Sequence, residues 1–245
     1  MELRVKHEIE HGKFLAAKKA ESLWGWGTPA GKERALRRAR LIAQGAELSV
    51  DKKVLEIGCG SGLFTEMFAG YGAKITAIDI SSDLLEIAKK RGLPSKRITF
   101  LEKRFEDTLF DAPFDAVIGS SVLHHLDMAT GFHKIFQFLK PGGVMSFAEP
   151  NMLNPQVFAE RKFRRWFPYV SPDETAFIPW RLGNDLKTAG FEDIRIVPFD
   201  WLHPSTPATA IKYIKKLTRL FERMYFIRNF SGSLYINARR PFRSV

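Results

Sequence analysis

Val54-Leu55-Glu56-Ile57-Gly58-Cys59-Gly60-Ser61-Gly62 is an apolar, strand-length run that ends in a glycine-rich turn and opens a helix. Glycines at this junction let the backbone approach a ligand and present N–H groups at a helix N-terminus. The spacing is Gly-x-Gly-x-Gly, and Leu63 stands where the dinucleotide-binding fingerprint has its third glycine. Glu56 lies inside the strand end, where a carboxylate suits a cationic ligand better than a pyrophosphate. A second acid, Asp79, closes the run Lys74-Ile75-Thr76-Ala77-Ile78, 21 residues after Gly58. At that distance the next strand of a βαβ unit places a carboxylate on ribose hydroxyls.

Outward from this pair the chain keeps alternating. Strand-like runs at 53–57, 74–78, 98–101, 115–119 and 144–148 are separated by helical periodicity at 62–69, 82–91 and 130–139. Alternation with short joints predicts a doubly wound α/β sheet, largely parallel and covered on both faces. Thr28-Pro29 starts an earlier helix predicted over 29–47, with Thr as N-cap and Pro at the first helical position. After Pro150 the rhythm changes. An irregular segment (151–172) precedes a helix (179–189), a strand (193–199), a long excursion (200–231) and a final strand (233–238). The excursion contains a helix predicted from Pro207 to Phe226, with Ile211, Ile214, Leu217, Phe221 and Tyr225 on one face and Lys212, Lys215, Lys216, Arg219 and Arg223 on the other.

At this point the motifs resemble motifs I and II of class I S-adenosylmethionine (SAM)-dependent methyltransferases, in particular the small-molecule group of ubiquinone-biosynthesis type. The resemblance runs from about Asp51 to Gly143. It continues through Phe114-Asp115-Ala116-Val117-Ile118-Gly119-Ser120, then His124-His125-Leu126, then Leu139-Lys140-Pro141-Gly142-Gly143. It implies a seven-stranded sheet of order 3-2-1-4-5-7-6 with strand seven antiparallel, and SAM as methyl donor with S-adenosylhomocysteine as product. Carried over, Glu56, Gly58, Cys59, Gly60 and Gly62 form the loop at the methionine end, Asp79 binds the ribose, Ile80 packs on the adenine, and Ser120 lies beneath the sulfonium. The family's acidic adenine acceptor after strand three is replaced here by Arg104, which cannot accept a hydrogen bond. Adenine recognition then falls to the Phe105 backbone or to Glu106.

Relatives with Glu-x-x-Glu-His after strand four bind a divalent metal there. The equivalent Ser121-Val122-Leu123-His124-His125 lacks both carboxylates, which predicts no metal. His124 and His125 become candidate bases for a substrate hydroxyl, and Glu149, just past strand five, a candidate contact or base for the acceptor. His7-Glu8-Ile9-Glu10-His11 matches the H-E-x-x-H pattern of zinc proteases, but with no third ligand in view it reads as an exposed charged helix.

Charge is unevenly placed. The net +11 divides into +5 over residues 1–45 (ten Lys/Arg, five Glu), −2 over 46–150, zero over 151–200, and +8 over 201–245 (nine against one). The expectation is one domain: an N-terminal helical cap (1–48), a SAM-binding core (49–150) and acceptor-side additions (151–245). The cap, with Trp24-Gly25-Trp26-Gly27-Thr28, and both late excursions converge on the methyl group. They predict an amphiphilic or anionic acceptor and contact of the 211–225 helix with an anionic membrane surface, while the candidate bases His124, His125 and Glu149 favour O-methylation. Strand-length apolar runs, no signal-like N-terminus and a lone Cys59 predict a cytoplasmic protein, peripheral at the membrane. Two rivals fit less well. A nicotinamide oxidoreductase calls for a third glycine and no Glu56. A nucleic-acid methyltransferase calls for Asn/Asp-Pro-Pro-aromatic where Ser120-Ser121-Val122-Leu123 stands.

Overall fold

The computed structural model describes residues 2–167, 170–171 and 174–242. In chain order the elements are α1 (Glu2–Ala17), α2 (Ala20–Leu23), α3 (Pro29–Gly45), β1 (Lys53–Ile57), α4 (Leu63–Ala69), β2 (Lys74–Asp79), α5 (Ser82–Lys89), β3 (Ile98–Glu102), β4 (Phe114–Ser120), α6 (Met128–Phe138), β5 (Leu139–Pro150), α7 (Pro155–Lys162), α8 (Pro179–Thr188), β6 (Glu192–Phe199), α9 (Ala208–Phe221) and β7 (Ser233–Arg239). The strands form one seven-stranded sheet in the order β3-β2-β1-β4-β5-β7-β6. β1 through β5 pair in parallel, and β7 enters antiparallel between β5 and β6. This is the doubly wound arrangement that the alternation and the resemblance predict.

Both faces of the sheet are apolar because both are covered. One core gathers Leu55, Ile57, Val117 and Phe147 from the strands with Phe132 and Ile135 of α6 and Leu182 and Leu186 of α8. The opposite core sets Val54, Ile75 and Ile118 against Ile42 of α3, Phe68 of α4 and Leu85 of α5. A fully buried side chain of this size stabilises the fold by roughly 1.5–3 kcal/mol. A smaller cluster (Leu15, Ala20 and Leu84) seats α1 and α2 on α5. That cluster carries the N-terminal helices across the carboxyl edge of the sheet.

Helix ends follow local chemistry. Thr28 caps α3 by accepting from the Gly31 N–H, with Pro29 at the first position. Ser81 caps α5 in the same way. The helix α3 stops at Gly45, two residues before the predicted end, and α9 stops at Phe221 rather than Phe226. The stretch 151–172 is not irregular throughout. Asn154 accepts from the Val157 N–H at 3.0 Å and Pro155 fixes the first turn, so the Asn-Pro pair nucleates α7. Pro172, at the end of that predicted segment, lies outside the described residues.

The turn after β1 needs glycine. Gly58, Gly60 and Gly62 all have φ between +52° and +77°, and a Cβ at Gly58 would run into the Val122 side chain. Gly58→Ala combines left-handed backbone strain with overpacking. It is expected to cost roughly 2–4 kcal/mol, read as a lower urea midpoint at an unchanged slope.

Candidate active site

The carboxyl ends of β1, β2 and β4 open onto a cavity of about 790 Å³, at the edge where open parallel sheets bind ligands. Gly58, Cys59, Gly60 and Ser61 form one wall; Asp79, Ile80 and Ser81 continue it; Arg104, Phe105, Glu106 and Ser120 complete that side. Asp79 holds this wall together. One carboxylate oxygen accepts from the Gly60 N–H at 2.7 Å and the other from the Ser81 N–H at 2.9 Å. Burial raises its pKa, opposed by these backbone donors. Each oxygen keeps a lone pair for a ligand hydroxyl.

Two of the predicted loop residues stand behind the wall rather than in it. Gly62 is the left-handed N-cap of α4, and its Cα face abuts Ala88. Glu56 is buried, with Oε2 lacking a hydrogen-bond partner among the described residues. Burial, reinforced by the Asp79 charge, pushes its carboxyl up to about 8. Arg104 lines the cavity but is tied to Glu106 at 3.3 Å and to Asp107 at 2.9 Å, which leaves Glu106 at the wall beside it.

The N-terminal segment roofs the cavity. Arg4, Glu8, His11, Gly12 and Leu15 fall on the inward face of α1, and Trp24 and Trp26 follow. The roof is fastened at the loop: Ser61 donates to Glu21 at 3.0 Å, and Arg91 pairs with both Glu21 and Glu66. Thus the H-E-x-x-H segment is helical as predicted, but Glu8 turns inward. It accepts from Ser171 Oγ at 2.8 Å and lies 3.1 Å from His125 Nδ1, off the line of a straight hydrogen bond.

Residue-type patterns did not reveal Arg38. It is buried on α3, yet among the described residues its guanidinium has no direct carboxylate partner. It donates to Ser121 Oγ (2.7 Å), Ser120 Oγ (3.2 Å), the Ala148 carbonyl (3.0 Å) and Ser233 Oγ (2.6 Å), all neutral. Burial, then the neighbouring Arg34, pull its pKa down to about 10, so it remains charged at neutral pH. Desolvating a cation without a counter-ion is costly, and a ligand anion in the adjoining cavity would supply that counter-ion. In the sequence Arg38 is one member of the basic run Arg37-Arg38-Ala39-Arg40.

The candidate bases are reassigned by their surroundings. Glu149 does not reach the cavity. It is fully buried, accepts from the Val122 and Leu123 N–H groups at 3.0 Å each, and meets His124 Nδ1 at 2.6 Å. His124 lines the cavity, but its Nε2 lies 3.3 Å from Glu174, so both ring nitrogens face carboxylates. Burial opposes its charge, but Glu149 and Glu174 outweigh that and raise the imidazole to about 9. A protonated, doubly paired imidazole is a strut and not a base. Glu174 is in turn paired with Arg161 of α7, so the strut fastens the segment after β5 to the sheet edge. His125, its ring centroid 4.3 Å from that of His124 and tilted by 39°, lines the cavity, as do His11 and His203. Among the described residues, His124, His125 and Glu174 are the group whose potential ligand atoms lie within 4.8 Å of one another. The ion pairs on His124 already use that geometry, and His7 and His11 are not part of it.

The strut gives a stability signature. The folded pKa of His124 is raised above its ordinary value near 6.5, so its contribution is full below that value and is lost as pH rises through about 9. Glu149→Gln is expected to lower stability by about 3 kcal/mol. Subtracting the variant's urea stability from the native protein's between pH 6 and 10 should show a difference that shrinks on the alkaline side.

Residues 55–147 match the family model described as a methyltransferase domain. The chain is 38% identical over 128 residues to a ubiquinone biosynthesis O-methyltransferase of Xylella fastidiosa, a stretch covering 49% of this chain and 52% of the relative, so it spans about half the length of that curated relative. Its fold is similar to a methyltransferase of Haloferax volcanii in complex with the activator Trm112 (TM-score 0.67, 18% identity, 94% of this chain and 97% of that one). It is also similar to the N-methyltransferase NodS of Bradyrhizobium japonicum in complex with S-adenosylhomocysteine (TM-score 0.59, 20% identity, 88% and 89%). Sheet order, glycine turn and family match agree: residues 55–147 match a methyltransferase domain, set in a sheet whose fold is shared with solved methyltransferases.

Proposed function

We propose that the chain transfers the methyl group of SAM to an oxygen of a small-molecule or amphiphilic acceptor. The observation that carries this reading is the Asp79 carboxylate bridging the Gly60 turn at the wall of a cavity that is also lined by the buried Arg38, which has no carboxylate partner among the described residues. The donor set fits SAM group by group. Arg38 is the counter-charge for the amino-acid carboxylate. Glu56, behind the glycine loop and held at about 8, answers the ammonium through the turn rather than from the cavity wall. Asp79 takes the ribose hydroxyls, and Ile80, Phe105 and Glu106 stand where the adenine is recognised. A pyrophosphate would instead meet two acids, Glu56 and Asp79, which speaks against a nicotinamide cofactor.

SAM supplies a methyl group already activated by its sulfonium, so the protein contributes chiefly orientation and exclusion of water. The roof of α1 with Trp24 and Trp26 encloses the reacting groups. His125 accepts the acceptor's hydroxyl proton, while His124 and Glu149 hold the turn that presents it. Oxygen is favoured as the methylated atom because the curated relative is named an O-methyltransferase and an imidazole base lines the cavity. The whole chain acts as one domain, with residues 1–48 as cap, 49–150 as cofactor core and 151–245 forming the acceptor side. The amphiphilic acceptor is met at an anionic membrane surface through α9 and the turn that follows it. No helix among the described residues is long and apolar enough to cross a membrane.

Calorimetry tests the cofactor. SAM and S-adenosylhomocysteine should bind while NADH does not, and Asp79→Ala should weaken SAM roughly tenfold to a hundredfold. Unchanged affinity in that variant, or preferential NADH binding, would overturn the assignment. Because the Glu56 carboxyl sits at about 8, SAM binding near pH 7 should release up to about one proton. The measured enthalpy should therefore depend on the buffer's ionisation heat, and Glu56→Gln should abolish that dependence.

A further inference from the structure

The proposed membrane contact invokes Ile211, Ile214, Leu217, Phe221 and Tyr225, but the fold uses most of that face for itself. Ile211, Ile214, Thr218 and Phe221 lie on the inward arc of α9, and Phe221 meets Trp201 edge to face at 5.3 Å. Glu222, the only acid after residue 200, also turns inward, to Arg37 and the Asp200 N–H. What remains outside is a second apolar stripe. Tyr213, Leu217, Leu220 and Met224 recur at helical spacing and are all exposed, from 43% to 66%. The turn that follows adds Tyr225 and Phe226, exposed by 68% and 78%.

Beside that stripe runs a row of cations: Lys212, Lys216, Arg219 and Arg223, all exposed. No ion pair to these four is found among the described residues. A shallow groove of 290 Å³ is walled by Lys216, Arg219, Leu220 and Arg223, three cations around one leucine. That combination matches a phosphate-bearing headgroup above an acyl chain. A second copy of the chain would bring two cationic rows together, and a nucleic acid would leave the apolar stripe in water.

We infer that this outer face of α9 and the turn after it dock on an anionic phospholipid bilayer, with Leu217, Leu220 and Phe226 entering the interface and the Lys216–Arg219–Arg223 row meeting lipid phosphates. The inference rests on the proposed amphiphilic acceptor and names the surface through which it arrives. Both ends of the excursion that carries α9 line the cavity: Trp201, Leu202, His203 and Pro204 before it, Gly232 and Ser233 after it. The helix is braced on α3 by Lys215–Glu33 at 2.6 Å and Arg37–Glu222 at 2.6 Å. A bilayer seated on α9 therefore lies next to the acceptor side of the cavity, and an amphiphile can present its polar head there while its tail stays in lipid.

Vesicle flotation of the full chain tests this, with phosphatidylcholine alone against phosphatidylcholine containing about 30% phosphatidylglycerol. Binding is expected to the anionic vesicles at about 0.15 M salt and to weaken steeply as salt rises. The triple variant K216Q/R219Q/R223Q should lose binding on the order of a hundredfold. L217S/L220S should lose it as well, whereas I211V, on the inner face, should not. Equal binding to both vesicle types, no binding to either, or full retention in the triple variant would each overturn the inference. So would inorganic phosphate abolishing flotation at an ionic strength where chloride does not, since the groove would then be a site for the free anion. SAM calorimetry on the same samples separates the two claims. Flotation without SAM affinity leaves the docking face and removes the methyl-transfer reading; SAM affinity without flotation does the reverse.

Discussion

Everything at the carboxyl edge of the sheet depends on a carboxylate that closes a turn too tight for side chains. Asp79 accepts from Gly60 across the gap between β2 and β1, and from Ser81 at the start of α5. The turn can adopt this path because its glycines occupy the left-handed region without penalty. The Gly60 turn and the start of α5 are thus tied to one carboxylate at the cavity wall. Such tethering lowers the cost of ordering the loop when a ligand binds there.

A second layer of charge supports the opposite wall. Glu149, deep at the end of β5, holds two backbone N–H groups of the turn after β4 and one side of His124. Glu174 holds the other side and links onward to Arg161 of α7. The outcome is a buried acid–imidazole–acid stack that joins the sheet edge to the segment folded over it. Glu8 of α1 reaches the neighbouring His125 and Ser171 from above, so sheet, roof and late excursion meet within one electrostatic cluster. Buried charges of this kind are tolerated because each is paired. Among the described residues Arg38 is bonded to neutral oxygens and to no carboxylate, and it lines the cavity.

The late excursion shows how a single helix divides its surface. One arc of α9 packs toward Trp201, a second carries exposed Leu217, Leu220 and Met224, and a third carries lysine and arginine. In the chain these residues merge into one amphipathic pattern, because periodicity reports which residues share a face and not how many faces find partners.

The alternation of strands and helices from β1 to β5 and the glycine turn are legible in the chain, and the sheet order follows from the resemblance that those motifs carry. Glycine at a left-handed turn, a carboxylate at the next strand end and a strand–helix period are local requirements, and each leaves a local mark. Asn154-Pro155 is an equally local helix start, set inside a stretch that otherwise reads as irregular. What only the folded chain decided was environment. Glu149 and His125 look interchangeable as bases until burial sets the first among backbone donors and leaves the second at the cavity. Arg38 looks like its neighbours in a basic run until packing strips it of water. Protonation, counter-charge and access to solvent depend on groups brought together from positions far apart in sequence, such as Arg38 with Ser233 or His124 with Glu149. No spacing rule along the chain records those distances.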